Sequence, residues 1–202
     1  MAILKIARMG HPVLLQRAAP VPDPTAPEVR RLVADMIETM EDAGGAGLAA
    51  PQVHVPLRLF VFRVPAARTQ PGEDGPVPTT VVINPELELL GDEMVMRWEG
   101  CLSIPDLTFE CRRALSVVAT GFDLHGEPVR VEGSDVLARA LQHETDHLDG
   151  VLFVDRLDPQ RRRAAMKAIR ETEWGGGAPP PVKFSPHAGT FSGSVFGVSK
   201  GR

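Results

Sequence analysis

The sequence predicts an α+β protein with antiparallel sheets, and three observations carry that reading. Strand-like segments at 79–83, 86–90, 116–122 and 128–131 follow one another with no helical pattern between them, as in hairpins rather than alternating βαβ units. Helical periodicity is confined to three stretches, one early and two late. The 202 residues are 43% hydrophobic, which is enough for one globular core.

In chain order, Val29, Leu32, Val33, Met36, Ile37 and Met40 form one apolar stripe at helical spacing. Thr25 and Glu28 ahead of it have the spacing of a capping box, and Gly44 and Gly45 stop the helix. Residues 57–64, rich in Leu, Phe and Val, read as a buried strand, and the Pro/Gly-rich residues 65–78 as an exposed loop. The strands at 116–122 and 128–131 flank a turn built on His125 and Gly126. Ser134 is placed to cap a second helix over 135–148, with Gly150 just past its end. Asp158 and Pro159 open a third helix, amphipathic and basic, reaching Trp174. Glycines at 175–177 and prolines at 179–181 then lead into a Ser/Gly-rich run. The chain therefore divides into one domain over 1–174 and a tail over 175–202, which lacks a core-forming pattern and is expected to be mobile or draped on the surface.

A net charge of −4 gives no general attraction to nucleic acid or anionic membrane, so sequence-specific nucleic-acid binding is not expected. No segment approaches the roughly 20 apolar residues of a membrane helix, and the first residues hold no signal-peptide core. The chain reads as soluble and cytoplasmic. In that compartment its two cysteines, Cys101 and Cys111, are packed or chemically used thiols rather than a structural disulfide.

His143-Glu144-Thr145-Asp146-His147 is an H-E-x-x-H pattern inside the second helix. Residues four apart lie one turn above each other, so both imidazoles point the same way at a separation that one divalent ion bridges. Glu144 leaves the helix beside them, placed for proton transfer to or from water rather than for ligation. Val136, Ala140, His143 and His147 share one helix face, so the histidines continue an apolar, inward stripe and need partners there. A hydrolytic site needs a third protein ligand and an open fourth position. The metzincin continuation is excluded, because its third histidine position holds Phe153. A glutamate some 20 to 25 residues downstream, as in thermolysin-like proteases, leaves Glu171 or Glu173 as an alternative. Cys101 is the better choice, since thiolate is a strong ligand for first-row divalent ions and Gly100 lets the backbone turn closely. A zinc endopeptidase with another third ligand and a purely structural metal staple are the competing readings; a staple would close its fourth position, and His11, His54, His125 and His187 stand in scattered turn or tail contexts.

Three segments together resemble the peptide deformylases: Gly45-Ala46-Gly47-Leu48-Ala49-Ala50-Pro51-Gln52, Glu99-Gly100-Cys101-Leu102-Ser103, and Gln142 through Gly150 around the H-E-x-x-H pattern. The likeness covers about residues 4–172 and leaves the tail unexplained. It implies antiparallel sheets around a central helix that carries the two histidines. It also implies an activity, removal of the N-formyl group from the N-terminal methionine of new proteins with release of formate. By matching position, Cys101, His143 and His147 bind the metal and Glu144 is catalytic. Gln52 and the backbone N–H of Leu102 face the developing oxyanion, and Gly47 lines the substrate edge. Ala46, Arg97, Val136 and Ala140 are expected around the methionine side chain, with the stems of Arg97 and Arg139 along the wall. The resemblance favours Fe(II) as the native ion, with Zn(II), Ni(II) or Co(II) as substitutes, and N-formylmethionyl nascent polypeptides at the ribosome exit as partners. His54 stands where the family often has glycine and is expected to be an ordinary surface or turn histidine. Cys111 matches no ligand position and is expected to be a packed thiol.

Overall fold

Residues 59–64, Arg63 apart, are apolar on both faces, and the structure shows why. In the computed structural model, which describes residues 2–69, 74–175 and His187, they form β2 (Leu59–Val64), held between two helices. Leu59 and Val61 pack with the stripe of α1 (Pro27–Asp42), while Phe60 and Phe62 pack with Leu137, Ala138 and Leu141 of α2 (Asp135–Leu148). Each fully buried Leu, Val or Phe contributes roughly 1.5–3 kcal/mol through apolar burial.

β2 belongs to a five-stranded antiparallel sheet in the order β1-β2-β3-β6-β7, with β1 at Gly47–Ala49, β3 at Val77–Leu89, β6 at Ser116–Phe122 and β7 at Pro128–Ser134. A separate hairpin pairs β4 (Met94–Cys101) with β5 (Ile104–Ala114). Its register pairs Cys101 with Ile104, so Leu102 and Ser103 are the turn. The third helix, α3 (Pro159–Glu171), packs on a third core cluster that includes Cys101, Ile104, Cys111 and Phe153. The α+β class with antiparallel sheets is as expected, and α2 is contacted by strands of both sheets.

Several expected boundaries are corrected. No capping box forms at α1: Ala26 is the N-cap, and Thr25 instead donates its N–H and hydroxyl to Asp23 Oδ1 at 2.8 and 2.7 Å. Pro27, with its fixed φ, starts the helix one residue after that turn. The segments at 79–83 and 86–90 are one strand, β3, broken in register at Asn84 and Pro85. Asn84 takes the left-handed conformation there (φ 52°) and exchanges two hydrogen bonds with the backbone of Val21, at 2.7 and 2.9 Å. A turn-like dipeptide thus marks a bulge. The expected loop at 65–78 already enters β3 at Val77, and α3 ends at Glu171 rather than Trp174. Ser134 is the N-cap of α2, but its N–H and hydroxyl go to Asp74 Oδ2 rather than to the helix. Strands β1, β4 and β5 were not expected. The third helix does carry its expected cap, with Asp158 accepting from the N–H groups of Gln160 and Arg161.

The expected tail mobility falls on residues that lie, apart from Gly175 and His187, outside the described ones; His187 is buried and sits 2.8 Å from Asp35 Oδ2 on α1. Among the described residues no helix is long and apolar enough to cross a membrane.

His54 is a turn histidine, as expected, but a half-buried one. It follows the short helical turn at Ala50–Val53 in the left-handed conformation (φ 65°), with its imidazole edge-on to buried His11, ring centroids 4.5 Å apart. Burial, then the charges of His11 and Lys5, push its pKa down to about 4. Because the folded value lies below the ordinary 6.5, the contribution to stability is intact above about pH 6.5 and is lost as pH falls toward 4. Replacing His54 with glycine removes both the left-handed strain, about 1 kcal/mol, and this titration. In urea unfolding, His54→Gly is expected to be more stable than the parent, by a margin that widens from pH 7.5 to pH 5. An unchanged margin across that range would contradict the burial assigned to the imidazole.

Candidate metal centre and catalytic cleft

Two secondary structures meet to form the site, and each supplies ligands by its own periodicity. One helical turn sets His143 and His147 with Nε2 atoms 3.2 Å apart and rings edge-on, centroids 4.8 Å apart. From the other side, the β4–β5 turn delivers Cys101, whose Sγ is 3.3 Å from His147 Nε2. The potential ligand atoms of Cys101, His143 and His147 all lie within 4.8 Å of one another. A thiol and two imidazoles directed at one point, with both Nε2 atoms unshared by any carboxylate, suit a borderline-soft divalent ion. Burial, and His143 beside it, hold His147 neutral, its pKa well below the usual imidazole value, which is the form that ligates. Glu171 and Glu173 are both exposed, the Glu171 carboxylate facing Lys167, and neither joins the ligand group, so the thermolysin-like alternative has no support.

His143 is aimed by a carboxylate. Its Nδ1 lies 2.7 Å from Glu99 Oε1 on β4, which leaves Nε2 free for the centre. Glu99 accepts two further bonds from Arg113 on β5, from Nε at 3.1 Å and Nη2 at 2.7 Å. The remaining arm of Arg113 donates to Asp146 on α2 at 2.6 Å, and Asp146 also accepts from Arg156 at 3.1 and 2.6 Å. Although burial by itself would raise it, the bonds from His143 and Arg113 hold the Glu99 carboxyl well below the usual range. Glu99, Arg113 and Asp146 are all buried. This chain of charges was not foreseen. Glu99 and Asp146 stand inside recognised segments, and the one available signal was that two carboxylates at buried positions demand a cation.

Glu144 is buried beside the ligands, and among the described residues its Oε2 has no hydrogen-bond partner. Burial pushes its pKa up to about 7, with His143 opposing and Glu99 adding to the rise. A carboxyl poised near neutrality serves as either acid or base. Gly47 on β1 is what makes room for it: a Cβ there would stand 2.6 Å from Glu144 Cδ.

Gln52 is fixed at the opposite wall. Its Oε1 accepts from Ala49 N–H at 2.9 Å, which orients the amide so that Nε2 points to Ser103 Oγ at 3.1 Å and toward Cys101 Sγ at 3.7 Å. The open side of the centre is a cleft of about 950 Å³ whose lining includes Ala46, Gly47, Gln52, Leu102, Val136, Ala140 and Glu144. The structure therefore brings all the expected site residues to the centre and its cleft except Arg97. That guanidinium turns away to Asp135 Oδ2 at 3.0 Å, whereas Arg139, bonded to Trp98 O, lines the cleft, as do Arg63 and Arg68. Cys111 is fully buried and burial raises its thiol to about 11, as fits a packed residue.

Comparisons with known proteins agree on one family. A sequence profile described as polypeptide deformylase matches residues 3–163. Peptide deformylases from Acidothermus cellulolyticus and from a Parafrankia species are 52% and 50% identical to this chain over 187 residues, covering 93% of it and 96% of each relative. Among solved structures, peptide deformylase from Ehrlichia chaffeensis in complex with actinonin superposes with a TM-score of 0.78 at 32% identity, over 86% of this chain and 99% of that one. The Thermus thermophilus enzyme gives 0.72 at 39% identity, over 83% and 93%.

The tight approach of β1 to Glu144 has a measurable consequence. Gly47→Ala is expected to cost at least about tenfold in turnover by displacing the carboxylate, while metal content stays unchanged. Full activity in this variant would mean that Glu144 works from another position.

Proposed function

The chain belongs to the peptide deformylase family and hydrolyses the N-formyl group from the N-terminal methionine of newly made proteins, releasing formate; we propose that Cys101, His143 and His147 hold its one divalent metal ion and that Glu144 moves the proton. The observation that carries this is the convergence of three ligand atoms on the floor of the cleft, beside a buried carboxylate oxygen with no partner among the described residues. When bound, the ion supplies the Lewis acidity that makes a water nucleophilic near neutral pH. Glu144 Oε2 accepts the proton of that water and returns it to the amine as the C–N bond breaks, so one amide and one water become formate and a free amino terminus. As charge develops on the formyl oxygen, Gln52 Nε2–H and the backbone N–H of Leu102 donate to it. Oriented beforehand by Ala49, the Gln52 amide reorganises little during the reaction. Val136, Ala140, Ala46 and the stem of Arg139 form the wall against the methionine side chain.

Fe(II) is the native ion in this proposal, in the cytoplasm, with nascent polypeptides met near the ribosome exit. One thiolate and two imidazoles also accept Zn(II), Ni(II) and Co(II), so availability selects among them. In the same proposal residues 1–174 are the catalytic domain and 175–202 a Gly/Pro/Ser-rich tail.

Formate release from formyl-Met peptides tests the scheme. Glu144→Ala is expected to keep near-stoichiometric metal and lose at least roughly 100-fold in turnover; a parallel loss of metal would make Glu144 a ligand. Protein loaded anaerobically with Fe(II) is expected to be active and to decay in air as the iron or the Cys101 thiolate oxidises, and the Ni(II) form to last much longer. Cys101→Ser should abolish activity and weaken metal binding, whereas Cys111→Ser should preserve both. Equal tolerance of the two serines would remove Cys101 from the centre.

A further inference from the structure

Strand β4 has one face that runs from open solvent to the catalytic centre. Successive residues of a strand alternate between faces, so Met94, Met96, Trp98 and Gly100 form one row, and all four are exposed. The opposite row ends in buried Glu99 and Cys101, the residues that aim and form the centre. Trp98 and Gly100 line the cleft. Beyond them, Met96 and Met94 leave 38% and 39% of their surface in solvent, and Trp98 leaves 65%. Solvation explains a single exposed apolar side chain, but three in register on one strand form a patch continuous with the cleft. Across the hairpin their partners are Glu110, Arg112 and Ala114, so the row has a charged border on its β5 side.

We propose that this row is a track for the part of the substrate that follows the formyl-methionine, with Trp98 at the cleft mouth and Met96 and Met94 holding apolar side chains further along. The inference rests on the deformylase reading of the cleft and extends it. Two residues of strand advance about 6.8 Å, so Trp98 to Met94 spans about 14 Å, the reach of about four extended substrate residues. The chemistry suits a substrate whose sequence varies. Thioethers are flexible and polarisable, and an indole offers a broad flat face, so such a row accepts many apolar side chains without selecting one. Charged partners would be filtered by salt, but this contact would not be.

The test compares three peptides by kcat/KM on the metal-loaded enzyme: formyl-Met-Ala, a six-residue formyl-Met peptide with Leu and Val at its last three positions, and the same peptide with Ser there. The unaltered protein is expected to favour the apolar hexapeptide over the dipeptide by about tenfold, and the serine version by no more than about twofold. In Met94→Ser/Met96→Ser the apolar advantage should fall to about twofold. No apolar advantage in the unaltered protein overturns the track while leaving the deformylase reading intact, and this arm needs no variant to fold. An advantage that survives both serines also overturns it. Failure to cleave even the dipeptide overturns both. Sedimentation of the same samples covers the remaining occupant: a dimer that the two serines dissolve would make the row an interface between copies and overturn the track.

Discussion

The arrangement depends on one buried ion network, Glu99–Arg113–Asp146, which ties the β4–β5 hairpin to α2. The hairpin brings the thiol and the helix brings the imidazoles, and neither element carries a complete ligand set. Arg113 spans the two, with two bonds to Glu99 and one to Asp146. Taking three charges out of water costs several kcal/mol per ion, and the mutual hydrogen bonds only offset this. Its value is therefore positional. Removal of the guanidinium would leave Glu99 with His143 alone and Asp146 with Arg156 alone, and breaking a buried ion pair in this way costs of the order of 3–5 kcal/mol.

That network also separates the roles of three acidic groups lying close together. Glu99 is held ionised by His143 and Arg113 and fixes the imidazole, and Asp146 is held by two arginines and fixes the helix. Glu144 has neither partner. Burial without a cation raises its pKa, and the absence of a side chain at Gly47 leaves its carboxylate free to face the cleft. Partnering thus decides which acid is structural and which exchanges protons.

The legible parts of the site were those set by short-range geometry. Four-residue spacing on a helix dictates that His143 and His147 converge, whatever surrounds them. The Gly-flanked Cys101 and the segment holding Gln52 were recognisable as short sequences, and the two-sided apolar run of β2 announced its burial. The hairpin was illegible for a physical reason. In β4 the alternation over Met96, Arg97, Trp98 and Glu99 is short, and it is reversed, with the apolar row exposed and the row that leads to Cys101 containing Arg97 and Glu99, so it points to the wrong face. Arg113 could not be assigned because its partners are 14 and 33 residues away in sequence. At Asn84 and His54, side-chain contacts outweigh backbone preference, so residue type misled about a turn and about exposure.

The most direct measurement is an X-ray absorption spectrum at the metal edge of protein loaded with a single equivalent of Zn(II). One sulfur at about 2.3 Å together with two imidazole nitrogens at about 2.0–2.1 Å is the shell expected from Cys101, His143 and His147. A shell with no sulfur, or with two, would contradict the convergence of hairpin and helix on one ion.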